Sequence, residues 1–313
     1  MRITQGMLNQ QMLFDLENNT QRLSQLQNQV ATGKRINTPA DDPVGVTFVM
    51  RYNSDIAYYQ QYQSNATAAQ GFLNYTDTVM NQAVQVMQRA RDLAVQGASD
   101  TLAPSDREAL ASEVDQLYQQ MVTIGNSQYN GQYIFNGQET NVAPYPTTGA
   151  ENASTDTGAI LYDLGDGIQM NVNTPGSQFF GDPVTSGGSG GAGGAGGSES
   201  AGSDNAFALL QNLSTALKNN DGQAISQMLS QFDSRLDQMS AAQANVGARL
   251  DRIQFEQNRL SDLVNNFQTL LAGVQDADMA QTITDLTTAQ SVQQASLAVG
   301  ARIITPTLVD FLK

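Results

Sequence analysis

Carboxylates are the residues of this chain that could carry acid–base or metal chemistry, because the sequence contains no histidine and no cysteine. Without the commonest general base and without thiolates, most enzyme classes are disfavoured. The pair Asp41-Asp42 could bind a cation, but two carboxylates without further nearby ligands do not form a coordination sphere. Asp42 directly before Pro43 instead has the pattern of a helix N-cap. We therefore expect capping here, and no catalytic, metal or cofactor site.

Two other features could be taken for ligand sites. The stretch 186–198 is rich in glycine, but it lacks the Gly-Lys-Ser/Thr ending and the strand–helix context of a phosphate-binding loop. We expect a flexible Gly/Ser linker over 186–203. The tyrosines at positions 52, 58, 59 and 62 could stack on nucleobases, but no basic residue lies between them. Packing contacts suit these rings better.

The overall charge narrows the possible partners. The chain has 15 Lys and Arg against 30 Asp and Glu, a formal net charge of -15. This balance argues against nucleic acid or an anionic membrane as partner. No apolar run is long enough to predict a membrane span. The first residues alternate apolar and amide side chains, so we expect no cleaved secretory signal.

A heptad pattern predicts a long helix. From Leu236 to Val274 apolar residues recur in alternating steps of three and four, interrupted only by Gln243 and Gln257. The length of this helix would be on the order of 58 Å. Because such a helix can bury its stripe only against other segments, the pattern points to an elongated, mainly α molecule.

Other segments have patterns of their own. Residues 1–32 have a second heptad seam, with Asn19 inside it. Two Asn-Gly pairs around the aromatic run 133–135 predict a hairpin. Residues 138–204 are rich in Gly, Pro, Asn and Thr, which predicts a small β-rich insertion whose removal leaves assembly intact. Helical periodicity marks four further segments: 44–97, 103–125, 206–217 and 276–303.

Two blocks of the sequence resemble the terminal signatures of the flagellin superfamily. The first is LSQLQNQVATGKRIN at 23–37, followed by PADDP at 39–43. The second is DADMA at 276–280, continued by QASLAVGAR at 294–302. The first block is most similar to the members of the family that join hook to filament. The motif loop consists of Gly33, Lys34, Arg35, Asn37, Pro39, Asp41, Asp42 and Pro43.

This resemblance implies an architecture. In the family the terminal helices pair as an inner coiled coil, central helices with a hairpin form the next layer, and a variable middle projects outward. The expected fold is therefore a mainly α, elongated helical coiled-coil rod formed by N- and C-terminal segments, with a small hairpin and an inserted β-rich outer domain. The implied domains are an inner one (1–43 and 275–313), a helical rod (44–137 and 205–274) and the outer insertion (138–204).

The resemblance also implies a role. It predicts a structural protein of the extracellular bacterial flagellum that forms a junction ring adapting the hook to the filament. The protein would be exported unfolded by the flagellar type III system, which agrees with the missing cysteines. The implied partners are further copies of the chain, the adjacent hook-associated protein, flagellin and a flagellar export chaperone.

Apolar residues of both terminal segments are the candidate subunit interface. We expect Leu16, Leu23 and Leu26 to face the apolar side of the C-terminal helix, and both helices to order only when a neighbouring subunit covers them. The apolar C-terminal tail is expected to join this surface. The candidate residues are Leu16, Leu23, Leu26, Met279, Ile283, Leu286, Val299, Leu308, Phe311 and Leu312.

Three alternatives remain open from the sequence. The chain could be a flagellin that builds the filament itself, since fold and export route are shared. It could be a monomeric coiled-coil adaptor or export-associated binding module. The third is a hydrolase that uses carboxylates alone or carboxylates with a metal, and no cluster of acidic residues in one motif recommends it.

Overall fold

The computed structural model describes residues 5–99, 102–184 and 204–304. The chain forms two compact units: Met1–Gln60 with Asp262–Lys313, and Gln61–Ser261. The predicted domain boundaries, after residues 43 and 274, coincide instead with the start of one long helix and the end of another. The division into inner, rod and outer domains therefore stays a prediction. The tail residues Leu308, Phe311 and Leu312 and the linker at 186–203 lie outside the described residues.

Helices dominate the described chain, which confirms the mainly α fold class. In chain order they are α1 (Gln5–Thr32), α2 (Pro43–Gly97), α3 (Pro104–Gly125), α4 (Gly176–Phe180), α5 (Ala206–Lys218), α6 (Gly222–Gln275) and α7 (Met279–Ile304). The long helix predicted from Leu236 is one continuous helix that already begins at Gly222.

The predicted first hairpin is confirmed, in a shorter form. Strands β1 (Gln128–Tyr129) and β2 (Gln132–Tyr133) pair antiparallel. Asn130 and Gly131 between them have φ values of 51° and 80°, as a two-residue turn of the I′ type requires. The second Asn-Gly pair forms no strand. There Asn136 Nδ2 donates to the carbonyl oxygen of Glu139 at 3.0 Å.

The insertion contains a two-stranded antiparallel sheet. Strands β3 (Leu161–Gly165) and β4 (Ile168–Asn171) pair with Leu161 opposite Asn171, and a bulge lies between Asp163 and Gly165. Met170 and Val172, two positions apart, are buried, whereas Gln169 is exposed. The rest of 138–184 is irregular apart from a 3-10 turn at Ala150–Asn152 and α4.

The core of the second unit lies among α2, α3, α5 and α6. Two rows of residues at heptad spacing are buried on α2: Phe72, Val79, Val86 and Leu93, and beside them Leu73, Met80 and Met87. Alternate seam positions of α6 are buried as well. Between the buried seam positions of α6 lie Gln243 and Gln257, whose amides donate to Asp77 Oδ1 (3.0 Å) and Gln70 Oε1 (3.2 Å) of α2. The two glutamines thus join α6 to α2 instead of breaking the seam. The buried seam positions are Met239, Val246, Ile253 and Leu260.

The insertion shares this core. Phe180 is fully buried, and its ring lies 5.0 Å from that of Phe135, 5.3 Å from that of Tyr145 and 5.2 Å from that of Phe207. Phe207 belongs to α5, whereas Tyr145 and Phe180 belong to the insertion. Aromatic groups of this size dominate core energetics, so this part of the insertion is packed with the helices and has no separate core.

Candidate subunit interface

The first compact unit contains the two terminal helices, which pack side by side and antiparallel. The residue number rises along α1 as it falls along α7 through three contacts: Met12 against Gly300, Asn19 Nδ2 donating to Ser296 Oγ at 3.4 Å, and Gln293 Nε2 donating to Thr20 Oγ1 at 3.2 Å. The pairing of the N- and C-terminal helices expected from the resemblance is therefore present in a single chain.

On α1 the predicted heptad seam is the face turned inward. Its members alternate in steps of four and three, and all are half-buried, whereas most positions between them are exposed. Leu16, Leu23 and Leu26 are among them, as expected. The seam consists of Met12, Leu16, Asn19, Leu23, Leu26 and Val30.

On α7 the inward seam differs from the predicted one. Of the predicted apolar residues only Leu286 lies on it, because Met279, Ile283 and Val299 are 39%, 47% and 53% exposed. Val299 nevertheless lines a groove together with Met12 and Leu16 of α1. That Met279, Ile283 and Val299 pair with α1 therefore stays a prediction. The buried or half-buried positions that follow the four-three spacing are Thr282, Leu286, Ala289, Gln293, Ser296 and Gly300.

Small side chains explain this seam. Gly300 is buried, and a Cβ at this position would overlap the Met12 methyl group. Small residues let two helices approach closely, so the face of α7 that touches α1 is the less apolar one. The signal was present in the sequence as Ala, Ser and Gly at heptad spacing, but a search for large apolar residues passes over it.

The seam also contains poorly satisfied polar groups. Asn9 Oδ1 and Gln293 Oε1 are buried and have no hydrogen-bond partner among the described residues. A buried polar atom left unpaired costs roughly 1–3 kcal/mol. An apolar groove of about 380 Å³, lined partly by Met12, Leu16 and Val292, remains open along the pair. The pair of helices therefore has a weak seam in the isolated chain.

Exposed apolar side chains are concentrated in the first unit. Among the described residues, most of the exposed large hydrophobic side chains belong to it, although it is the smaller unit. Apolar surface gathered in one region is typical of a protein interface. On the four helices concerned these residues are Met7, Leu13, Phe14, Val44, Phe48, Met50, Tyr58, Leu270, Met279, Ile283, Val292, Leu297 and Val299.

The motif loop fastens the α1–α2 connection to the α6–α7 connection. Gly33 ends α1 with φ +69°, the left-handed conformation of a helix C′ glycine. The N–H of Arg35 donates to the Gln275 carbonyl at 2.7 Å, and the N–H of Ala277 donates to the Gly33 carbonyl at 2.9 Å. Lys34 and Asp276 form an antiparallel bridge between the same segments.

Both carboxylates of the motif loop bind backbone N–H groups. Asp42 Oδ1 accepts from Gly45 at 2.9 Å, which confirms it as the N-cap of α2. Asp41 Oδ2 accepts from Thr38 (2.8 Å) and Asn37 (3.0 Å). These backbone hydrogen bonds hold the pKa of both carboxyl groups below its ordinary value. The carboxylates thus shape the loop, and no group of three potential metal ligands occurs among the described residues.

The other motif residues also serve the loop. Arg35 Nη2 donates to the Val274 carbonyl at 2.9 Å and to Asp42 Oδ2 at 3.4 Å. Asn37 Nδ2 donates to the Lys34 carbonyl at 2.9 Å. Pro39 lies exposed at the turn and Pro43 begins α2. The motif therefore encodes a backbone connection and not a ligand site.

Aromatic rings of the first unit pack on one another. Tyr52 and Tyr59 of α2 lie 6.0 Å and 5.4 Å from the Phe267 ring of α6. This confirms the packing interpretation for these two tyrosines.

None of the described helices combines the length and the apolarity needed to cross a membrane.

Comparisons with known proteins point to one family. Residues 3–140 match the bacterial flagellin N-terminal helical region, and residues 229–312 match the bacterial flagellin C-terminal helical region. Flagellar hook-associated protein 3 of Salmonella typhimurium is 25% identical over 311 residues, which cover 95% of each chain. A flagellin of Listeria innocua is 22% identical over 284 residues, covering 90% of this chain and 88% of its own.

A solved structure shares the fold. Flagellar hook-associated protein-3 from Legionella pneumophila superposes with a TM-score of 0.60 at 17% identity, covering 72% of this chain and 98% of its own. The two terminal family matches span most of the chain, and they include the paired helices and the motif loop described above. The chain therefore belongs to the flagellin superfamily, as a hook-associated structural component of the extracellular bacterial flagellum.

Proposed function

We propose that this chain assembles into a ring that adapts the hook to the filament. The observation that carries the proposal is the concentration of exposed apolar side chains on the first unit, around a terminal helix pair whose own seam is weak. A neighbouring subunit that covers this surface would remove apolar area from water, at roughly 25 cal/mol per Å². The terminal pair would then become stable only in the assembly.

The candidate interface residues take two roles in this proposal. Leu16, Leu23, Leu26 and Leu286 hold the pair together within one chain, and a neighbour completes their burial. Met279, Ile283 and Val299 are partly exposed, and the neighbour would contact them directly. The tail residues Leu308, Phe311 and Leu312 belong to the proposed interface on their sequence alone.

The proposed partners follow from a place between hook and filament. They are further copies of this chain, the adjacent hook-associated protein, flagellin and, before export, a flagellar export chaperone. Export in an unfolded state by the type III system agrees with a chain that has no cysteine to cross-link it. The role is mechanical, so we propose no catalytic activity, no cofactor, and no nucleic-acid or membrane partner.

Deletion of the gene tests the proposal. Cells would be examined by electron microscopy while the medium is assayed for flagellin. Bare hooks with flagellin in the medium are expected, because export continues when only the adaptor is lost. Bare hooks without external flagellin would identify the chain as the filament subunit. This alternative is the one that the similarity to Listeria flagellin supports. Normal filaments would contradict both roles.

Complementation of the deletion tests the interface. Ile283→Ser with Val299→Ser should fail to restore filaments, because both side chains are about half exposed on α7 and a neighbouring subunit would cover them. The matched control is Val95→Ser with Leu161→Ser, two apolar residues of similar exposure in the second unit. If both double variants restore filaments equally, the exposed apolar residues of α7 are not the interface.

A further inference from the structure

Half of the twelve arginines of this acidic chain lie beside a carboxylate. Six ion pairs with N–O distances of 4.0 Å or less account for them: Arg35 with Asp42, Arg51 with Asp55, Arg89 with Glu113, Arg91 with Asp233, Arg235 with Asp204, and Arg259 with Glu256. Although the sequence contains 30 Asp and Glu, some of the other arginines have no ion pair within the described residues and lie in a concave site.

Arg249 and Arg252 are two such residues. They lie three positions apart on α6, and both line an open pocket of about 370 Å³ between this helix and β4. The other side chains that line the pocket are neutral: Gln169, Met170, Asn171, Asn245 and Ala248. The pocket thus combines two guanidinium groups with side-chain amides and contains no acidic residue.

Few of the side-chain N–H groups in this pocket donate a hydrogen bond within the described residues. Arg249 Nη1 donates to the Asn173 carbonyl at 2.9 Å, which occupies one of five guanidinium N–H groups. Arg252 makes no ion pair or hydrogen bond within the described residues. Asn171 Oδ1 accepts from the backbone N–H of Asn173 at 3.1 Å, which leaves the Nδ2 donors of Asn171 available.

The burial of Arg249 adds a second observation. This side chain is partly buried, and burial lowers the pKa of its guanidinium group, because neutral surroundings destabilise the charged form. Arginine nevertheless remains protonated in proteins. A cation held in such a place without a counterion is destabilising, and an anion in the pocket would relieve the cost.

We propose that the pocket formed by Arg249, Arg252 and the amides of Gln169 and Asn171 is a binding site for a carboxylate. The planar guanidinium fork matches a carboxylate with two parallel hydrogen bonds, and the amide donors satisfy its remaining lone pairs. A singly charged carboxylate suits this pocket better than a doubly charged phosphate, because the chain around it is strongly negative.

The carboxylate can come from two sources. One is a free small acid, and the other is an Asp or Glu side chain of another protein. The probes are therefore sodium propionate and N-acetylglutamic acid α-amide, which each carry one carboxylate. The carboxylate of the second probe resembles that of a protein side chain. Sodium chloride at equal ionic strength controls for screening.

The experiment follows the arginine Nε–H signals of the full chain by NMR during titration with each probe. Saturable shifts of the Arg249 and Arg252 signals are expected, and Arg252→Gln should weaken binding about tenfold or more, the effect of losing a charge-assisted hydrogen bond. Arg252 is exposed, so its replacement should leave the fold intact. The matched control is Arg22→Gln, at another exposed arginine without an ion pair among the described residues.

The outcomes separate the possibilities. Tighter binding of the blocked glutamate would assign the pocket to a protein side chain, and tighter binding of propionate would assign it to a free acid. Equal binding would mean that the pocket recognises the carboxylate alone. Shifts that do not saturate, that persist unchanged in Arg252→Gln, or that equal those with chloride would overturn the proposal.

Discussion

Met12 and Gly300 meet across the antiparallel seam of α1 and α7, and the methyl group of Met12 occupies the space that a side chain at position 300 would need. This contact lies on the small, partly polar face of α7. Several larger apolar residues of that helix remain exposed, where a neighbouring subunit can reach them. Close approach within one chain and apolar surface for a second chain therefore come from different residues of the same helix.

Gly300→Leu should separate the terminal helices. The new side chain requires Met12 and the α1 backbone to shift, at a cost of about 1–3 kcal/mol for overpacking. Gly273→Leu is the matched control, because a Cβ at that glycine meets nothing within 4 Å. Hydrogen exchange of the α1 amides should speed up in the first variant only. Equal exchange in both variants would mean that close approach at Gly300 does not hold the pair.

Asp42→Ala should destabilise the start of α2. The variant removes the acceptor for the Gly45 N–H, and loss of an N-cap costs about 1 kcal/mol. Asp42→Asn keeps an acceptor oxygen and should be destabilised much less than Asp42→Ala, since the ion pair that it loses with Arg35 is solvent-exposed. Urea unfolding measures both changes. An Asn variant as unstable as the Ala variant would assign the effect to charge and not to capping.

Acid should loosen the motif loop. The pKa values of Asp41 and Asp42 are lowered in the folded chain, mainly by the backbone N–H groups of Thr38 and Gly45 respectively. Their contribution to stability is therefore complete above the unfolded value of about 3.9 and is lost as the pH falls through the lowered folded values. NMR titration of the two carboxyl carbons should give midpoints below about 3.9. Midpoints at or above that value would contradict the hydrogen-bonding pattern.

Arg107 should matter more for stability than any exposed arginine. Its buried guanidinium group donates to the carbonyl oxygens of Gly97 (3.1 Å) and Ser99 (2.7 Å) and also to Asn220 Oδ1. Arg107→Ala leaves these acceptors without their donor, and we expect a loss of about 2–4 kcal/mol in the free energy of unfolding. Arg51→Ala, at an exposed ion pair of 4.0 Å, should cost less than about 0.5 kcal/mol. Similar losses in both would refute this role.

A short deletion in the Gly/Ser linker should be tolerated. Asn205 Nδ2 donates to the carbonyl oxygens of Gly181 (3.1 Å) and Asp182 (2.9 Å), so the chain on either side of the linker is already held together. Deleting 188–201 shortens the loop that these contacts close, and should stabilise the chain by about 1 kcal/mol. Thermal unfolding measures the change, and a destabilised protein would show that the linker itself carries contacts.

Deletion of all of 138–204 should behave differently. It would remove Tyr145 and Phe180, whose rings cover Phe135 and Phe207. The sequence predicts that assembly survives this deletion, but the shared aromatic cluster predicts a destabilised second unit. Limited proteolysis of the two deletion variants side by side distinguishes these outcomes. If the two deletion variants resist proteolysis equally, the insertion is separable from the core of the second unit.

Sequence periodicity predicted the helices of this fold better than it predicted which segments pack against each other. The α1 seam, the α6 seam and the Asp42 cap follow from local rules, since each depends on residues three or four positions apart. The inward side of α7 was not predicted, because Ser296 and Gly300 are small and the prediction relied on large apolar residues. The aromatic contact of Phe180 with Phe207 was equally hidden, since a loop-rich composition suggested a segment outside the core. The pocket lined by Arg249 forms where β4 lies beside α6. The spacing of residues along the chain does not predict this contact.

The seam between the terminal helices also sets an order of events in time. Asn19 bonds to Ser296, a partner 277 residues away in the sequence. Contacts at such separation form late, because the loop they close is long. Whichever end of an unfolded chain emerges first, its terminal helix has no partner until the other end arrives. Completion of the chain is therefore the step that permits the seam to close, and a truncated copy lacking either end cannot form it.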